Sequence, residues 1–395
     1  MITITDTEAL ARFCDSVAGA DFVTVDTEFM RERTYWPRLC LVQLAGPTEA
    51  AIIDAMAEGI DLEPLFKLLN ASDVLKVFHA GRQDIEIIHH LTGNIPSPVF
   101  DTQIAGMVCG FGDQVGYETL VSKLAKARID KSMRFTDWSR RPLSEKQLHY
   151  ALSDVTHLRV AYEKLARNLE RNGRTQWLEE EMATLTSPAT YAAVPSEAWR
   201  RIKFRGSRPR FMCVLQALAA WRELEAQKRD VPRNRVLRDD VLLDMAARAP
   251  ETEEELAKTR TVGRNGLGAA VTRGVLAAIA EGQACPERDC PSLEKKKPLP
   301  KGIGPLVDLF RVLLKMKCDE NGVAQKLITS ISDLELIAAD DDADVPALRG
   351  WRRELFGADS LRLKHGQLSL AADGYKVCLI PTSGTNRDAA EVKIG

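Results

Sequence analysis

Short apolar runs of strand type fill the first hundred residues, and most of the remaining chain is patterned at helical spacing. Met1 to about Gly46 reads strand, helix, strand, strand. Leu10, Phe13 and Val17 recur at three- and four-residue intervals after Thr5 and Asp6 and predict a helix ending near Gly19. Phe22-Val23-Thr24-Val25 is an unbroken β-branched and aromatic run that opens a strand reaching Phe29, Leu39 to Leu44 follows Pro37, and Ala51-Ile52-Ile53 is a third run. Their short connections predict an antiparallel meander, because parallel neighbours need a crossover of about a dozen residues. From Leu62 the pattern alternates. A helix through Leu65, Phe66, Leu68 and Leu69 precedes a strand over Leu75 to Phe78, and a helix from Gly81 to about Leu91 buries Ile85, Ile88 and Leu91. Val99-Phe100 is a last short strand before Asp101. A meander running into such βα units predicts a mixed sheet with helices on its faces.

Beyond Pro142 the strand signal fades. Ser144 and Gln147 have capping-box spacing, Leu148, Ala151, Leu152, Val155, Leu158, Tyr162, Leu165 and Leu169 form one helical stripe, and Asn172-Gly173 closes it. Phe211 to Lys228, with Val214, Leu215, Leu218 and Trp221 inward, begins a helical module continued by Asp239 to Ala247, Thr252 to Leu256 and Val271 to Ala280, with a turn at Val262-Gly263. Residues 284–304, rich in proline and carrying Lys295-Lys296-Lys297, read as an extended linker. Leu306 to Met316 and Leu334 to Ala338 then echo the first module: the segment from Val231 aligns loosely with that from Val323, 92 residues later. Pro381 onward reads as a loose tail.

At about 150 residues per domain, 395 residues predict two or three domains. A net charge of −2 points to no partner, so a nucleic-acid surface would be a local patch. Residues 200–210 hold six basic residues and no acid, which suits phosphate contact and a solvated linker equally. No stretch approaches the roughly 20 continuous apolar residues of a membrane span, and Met1 to Thr5 lacks the features of a signal peptide, so a cytoplasmic, non-membrane protein is expected. The eight cysteines read as reduced thiols: only Cys285 and Cys290 are close in sequence, with no second pair to complete a zinc site. The absence of Gly-x4-Gly-Lys-Ser/Thr argues against a P-loop ATPase.

The chemistry gathers around Asp26-Thr27-Glu28, at the end of the second strand. Strand alternation puts Asp26 and Glu28 on one face, where two carboxylates repel unless a cation stands between them. A hard divalent ion such as Mg²⁺ takes such ligands; a solvated acidic turn explains the pair as well. Asp84 lies in the first turn of the helix after His79-Ala80-Gly81, where the helix dipole also favours an acid. Tyr150 and Asp154 are one turn apart and off the apolar stripe, which fits a functional pair or solvated decoration.

Taken together, Asp-x-Glu, a second-motif Asp and Tyr-x3-Asp, in this order and on these elements, resemble the DEDDy branch of the DEDD 3′-to-5′ exonucleases. Val25 to Phe29, Arg33 to Pro37, His79-Ala80-Gly81, Asp101 to Ile104, Thr136-Asp137-Trp138 and Arg141-Pro142-Leu143 narrow the resemblance to the ribonuclease D family. That resemblance implies an α/β ribonuclease-H-like exonuclease domain over residues 1–195 and two all-α, HRDC-like helical bundles over 205–283 and 305–380, with the linker at 284–304 and the tail at 381–395. It implies two divalent ions, Mg²⁺ or Mn²⁺. Asp26, Glu28 and Asp154 would hold the ion that activates water, Asp26 would touch the second, Asp84 would hold that one through water, and Tyr150 would orient the attacking water. Phe29 and Met30 would wedge against the terminal bases, and His79 would touch substrate or serve as a satisfied loop histidine. The implied activity is metal-dependent trimming of structured RNA such as precursor transfer RNA from the 3′ end, releasing nucleoside 5′-monophosphates with no obligatory protein partner. A DNA exonuclease and a catalytically silent nucleic-acid-binding protein are the alternatives. The second module departs most from the family, with acids at Asp340-Asp341-Asp342 and Asp344; RNA contact and packing on the first domain both fit it.

Overall fold

Asp6 caps the first helix by accepting from the Ala9 N–H at 2.8 Å, and the chain then builds the sheet that carries Asp26. In this computed structural model, residues 2–204, 208–259, 267–291 and 298–382 are described. The strands are β1 (Ile2–Ile4), β2 (Phe22–Met30), β3 (Arg38–Ala45), β4 (Ala50–Asp54), β5 (Leu75–Phe78) and β6 (Val99–Asp101), in the order β1-β4-β3-β2-β5-β6. β2, β3 and β4 form the expected antiparallel meander, and β5 and β6 add in parallel beyond β2. β2 is therefore an inner strand, paired on both sides. Asp26 stands opposite Gln43 and Glu28 opposite Leu41, and the register shifts between Glu28 and Phe29.

Seven helices complete this domain: α1 (Thr7–Val17), α2 (Glu63–Asn70), α3 (Arg82–Thr92), α4 (Thr102–Val108), α5 (Tyr117–Leu124), α6 (Glu145–Arg171) and α7 (Thr175–Leu185). The capping box of α6 is formed: Ser144 Oγ accepts from the Gln147 N–H, and Gln147 Oε1 accepts from the Ser144 N–H. α6 buries Ala151, Val155, Leu158, Ala161 and Leu165. The Thr24 hydroxyl on β2 donates to the Val155 carbonyl at 2.9 Å, locking the helix to the strand two residues from Asp26. In α3 the buried apolar residues are Ile85, Ile87 and Ile88, while Leu91 is 48% exposed, contrary to the predicted stripe. The helix is buried on a wide face at its start and leaves the protein at its end, where Gly93 stops it in the left-handed conformation.

The first helical module contains α8 (Pro209–Arg229), α9 (Arg233–Val236), α10 (Asp239–Arg248), α11 (Glu253–Ala257) and α12 (Ala269–Ala284). Trp221 is only partly buried; Met212, Ala219 and Ala226 join Val214, Leu215 and Leu218 in the core. Val262-Gly263 and Lys295 to Lys297 lie outside the described residues. A Cβ on Gly282 would stand 2.5 Å from the Val214 Cα, so α8 and α12 approach as closely as backbones can. This approach brings Cys290 to Cys213, 77 residues away, in a disulfide, with the Cys285 sulfur within 4.8 Å. The expectation of eight reduced thiols is thereby corrected: the pairing follows from helix packing, which cysteine spacing cannot reveal. The other six cysteines are free.

This module grips the loop after β2. Tyr35 donates its hydroxyl to the buried Glu223, which Arg233 holds at 2.6 Å, and Asp230 accepts from the backbone N–H groups of Tyr35 and Trp36 at 3.0 Å each. Three of the six basic residues of that stretch are engaged by the protein itself: Arg200 pairs with Glu197, Arg201 with Glu223, and Arg210 donates to the carbonyls of Gly282 and Cys285. Arg205 lies outside the described residues.

The last region begins with α13 (Gly304–Asn321) and packs on the sheet-bearing domain, as one of its two expected roles requires. Val307, Phe310, Leu313 and Leu314 share a core with Val108, Leu165 and Leu178. Trp177 and Trp351 stack at 4.2 Å and 7°, and Arg352 pairs with Glu180 and Glu181. After the helix Ala358–Lys364 the chain forms a hairpin, β7 (Leu368–Asp373) and β8 (Lys376–Pro381), which helical periodicity does not predict. Pro381 is thus the end of a strand, and of the expected tail only Thr382 is otherwise described. Among the described residues no helix is long and apolar enough to cross a membrane.

Candidate active site

The side chains of Asp26 and Glu28 leave β2 on the same face, and α6 lies across that face. Carboxylate oxygens of Asp26, Glu28 and Asp154 consequently come within 4.8 Å of one another. Asp154 is 9% exposed, so it is not the solvated decoration its position off the stripe allowed. Asp84 stands outside this trio. It is buried at the start of α3 and accepts the hydroxyl of Thr27, the residue between the two strand acids. Its charge nevertheless acts on both Asp26 and Glu28.

Burial and mutual repulsion set the electrostatics. Desolvation, then the charges of Asp154, Asp84 and Glu28, pushes Asp26 well above the usual carboxylate range. Desolvation, then Asp154 and Asp84, raises Glu28 to about 9. Burial raises Asp154 to about 7, opposed by the Tyr150 hydroxyl, and burial raises Asp84 to about 6, opposed by Thr27. Four acids held this way favour protons or cations over water. The donor set is all oxygen, which fits a hard divalent ion.

Glu28 links stability to pH. Its folded-state carboxyl binds a proton more tightly than the unfolded one, so the stability this contributes is present below about 4.5 and is lost as pH rises through about 9. Without metal, the melting temperature is expected to fall across that interval, less steeply in Glu28→Gln, and Mg²⁺ should flatten the wild-type slope. Equal slopes for the two proteins in chelator, measured by calorimetry, would contradict this.

The turn before Asp84 is fastened by Asp101. Its carboxylate accepts from the backbone N–H groups of Ala80 and Gly81 at 3.1 and 2.8 Å while also capping α4 through Gln103 and Ile104. Ala80 sits at φ 57°, a left-handed conformation these bonds help to hold. The Thr102 hydroxyl donates to the Phe78 carbonyl, so His79 Nδ1 donates to Thr102 Oγ1 at 3.0 Å. His79 Nε2 is buried and has no side-chain partner, and the Val115 backbone acts on the ring.

A cavity of about 330 Å³ joins these groups, lined by Asp26, His79, Gln103, Tyr117, Tyr150 and Asp154. Tyr117 is the residue that sequence reasoning missed. Its hydroxyl donates to the backbone carbonyls of Asp154 and Ser153 at 2.6 and 3.0 Å, and its ring lies 5.3 Å from His79. Nothing in its local spacing distinguishes it from a core aromatic. Tyr150 is half-buried beside Trp138, with ring centroids 6.1 Å apart, and its hydroxyl is raised first by desolvation and then by the charges of Asp154, Glu28 and Asp26. A second groove, of about 630 Å³, is lined by Glu28, Phe29 and Met30 together with Arg134, Phe135 and Trp138. The expected wedge residues Phe29 and Met30 are half-buried there.

The chain as a whole is similar to known proteins. A family model described as a 3′–5′ exonuclease matches residues 1–170, and an HRDC domain model matches residues 212–279. The ribonuclease D of Jannaschia sp. (strain CCS1) is 52% identical over 96% of this chain and 99% of its own length. That of Nitrobacter hamburgensis is 50% identical over 97% of this chain and 100% of its own. Among solved structures, that of Escherichia coli RNase D, described as an exoribonuclease involved in structured RNA processing, superposes with a TM-score of 0.75 at 29% identity, covering 92% of this chain and 98% of that one.

Proposed function

The chain belongs to the ribonuclease D family, and on that premise we propose that Asp26, Glu28, Asp84 and Asp154 hold the divalent ions of a 3′-to-5′ exoribonuclease while Tyr150 orients the attacking water. The protein is a metal-dependent hydrolase that removes nucleotides from the 3′ end of RNA. Its substrates are structured RNAs such as precursor transfer RNA, processed in the cytoplasm with release of nucleoside 5′-monophosphates. Residues 1–195 form the catalytic unit, 205–283 the first HRDC module and 305–380 the second, divergent one. The observation that carries the site assignment is the approach of three partly to largely buried carboxylates to within 4.8 Å, with a fourth, buried one close enough to act on their charge.

Two ions, Mg²⁺ or Mn²⁺, fit this all-oxygen donor set: Asp26, Glu28 and Asp154 would hold one, and Asp84 with Asp26 would hold the other. When bound, such ions supply a nucleophilic water at neutral pH and charge relief at the leaving 3′ oxygen. The chain's own groups do the positioning. Tyr150, with its acidity pushed far from neutrality, keeps its proton and acts as a hydrogen-bond donor rather than a base. His79, which lines the cavity of Asp26, Tyr150 and Asp154, touches the substrate there, and Phe29 and Met30 meet the terminal base.

The test is product analysis on a 3′-extended transfer RNA with Mg²⁺, with Mn²⁺ and with chelator, beside a DNA strand of the same sequence as the extension. Metal-dependent mononucleotide release from the RNA is expected. Faster hydrolysis of the DNA would overturn the assignment in favour of a DNA exonuclease, and metal-dependent stabilisation without release from either would leave a binding protein.

A further inference from the structure

We propose that the segment from Arg134 to Ser139 is the second wall of the pocket for the 3′-terminal nucleotide, with the Phe135 ring stacking on its base opposite Phe29 and Met30. This rests on the assignment of the acids as the hydrolytic site.

Phe135 is 91% exposed, yet the segment bearing it is fastened behind the tip. Trp138, 3% exposed, packs among Cys40, Leu41 and Ala151 and stands against the Tyr150 ring. Thr136 Oγ1 accepts from Gln147 Nε2 at 3.2 Å. Arg141 grips both oxygens of Asp54 at 2.6 Å and the Trp138 carbonyl at 2.7 Å. The exposed ring is thus held out by a built loop.

It is also held over the right place. Phe135 lines the same groove as Glu28, Phe29 and Met30, so an exposed hydrophobic ring and the end of the catalytic strand border one space of about 630 Å³, room for a nucleotide. Arg134, its guanidinium 5.2 Å from the Phe135 ring, lines both this groove and the cavity holding Asp26, Tyr150 and Asp154. No ion pair among the described residues engages Arg33, Arg38 or Arg134, which also line the groove, so their charge is available to phosphate. A planar base flanked by phosphates is the ligand these features share: aromatic faces stack on bases of any sequence, and arginines follow the backbone. Glu28 borders this groove and Arg134 borders both it and the cavity of Asp26 and Asp154, so a base stacked here has its 5′ phosphodiester directed toward the acids.

The experiment compares wild type, Phe135→Ala and Phe135→Tyr on two single-stranded RNAs, one ordinary and one whose 3′-terminal residue lacks its base. First-nucleotide release is measured with Mg²⁺. For Phe135→Ala on the ordinary strand, kcat/KM is expected to fall about tenfold, chiefly through KM, as loss of one base stack implies, and Phe135→Tyr should restore it. On the strand lacking the terminal base, wild type should show the same loss and Phe135→Ala none beyond it. An undiminished Phe135→Ala effect on that strand, or no effect on either, would overturn the stacking role while leaving hydrolysis intact. Release from neither strand by wild type would overturn the hydrolytic reading and this inference with it.

Discussion

Replacing Asp26 by Asn is expected to cut metal-dependent mononucleotide release by about a thousandfold or more, equivalent to roughly 4 kcal/mol of transition-state stabilisation. Asp26 carries the largest expected loss because it sits between the Glu28–Asp154 group and Asp84 and feels the charge of all three. The same substitution should make the metal-free protein more stable, since it removes one of several carboxylates that burial and repulsion disfavour. Calorimetry in chelator and product release in Mg²⁺ would therefore move in opposite directions, which misfolding cannot produce. A variant that still releases mononucleotides at the wild-type rate would remove Asp26 from the mechanism.

Tyr150→Phe is expected to lower kcat about a hundredfold while leaving the fold and metal-dependent thermal stabilisation intact. The ring would keep its place beside Trp138, and only the hydroxyl facing Asp154 is lost. With Tyr150 acting as a hydrogen-bond donor and not as a base, the remaining activity should retain the wild-type pH profile. Loss of one limb of the profile would instead identify Tyr150 as a titrating base. Unchanged kcat would dismiss it from the reaction.

Much of this site is legible in local pattern. Strand alternation alone puts Asp26 and Glu28 on one face, and the run from Phe22 reads as a strand because every position but Thr24 is apolar up to Asp26. The Ser144 and Gln147 spacing starts α6, Asn172-Gly173 ends it, and the four-residue interval stacks Tyr150 over Asp154. The meander also follows from connection length. These are short-range matters, governed by steric periodicity and hydrogen bonds a few residues apart.

What local pattern does not hold is which faces meet. Asp154 and Asp84 each have an ordinary surface explanation along the chain. The first becomes a partner of Asp26 because α6 lies over β2 and is locked there by Thr24, and the second turns inward to Thr27. Tyr117, the disulfide between Cys213 and Cys290, and the docking of the last region through Trp177 and Trp351 join positions tens to hundreds of residues apart. The exposure of Leu91 and the burial of Ile87 likewise depend on where α3 leaves the sheet. Residue spacing decides the direction in which a side chain leaves its own helix or strand; what it then meets depends on burying apolar faces against distant ones, and that long-range packing turns four separately unremarkable acids into one charged site.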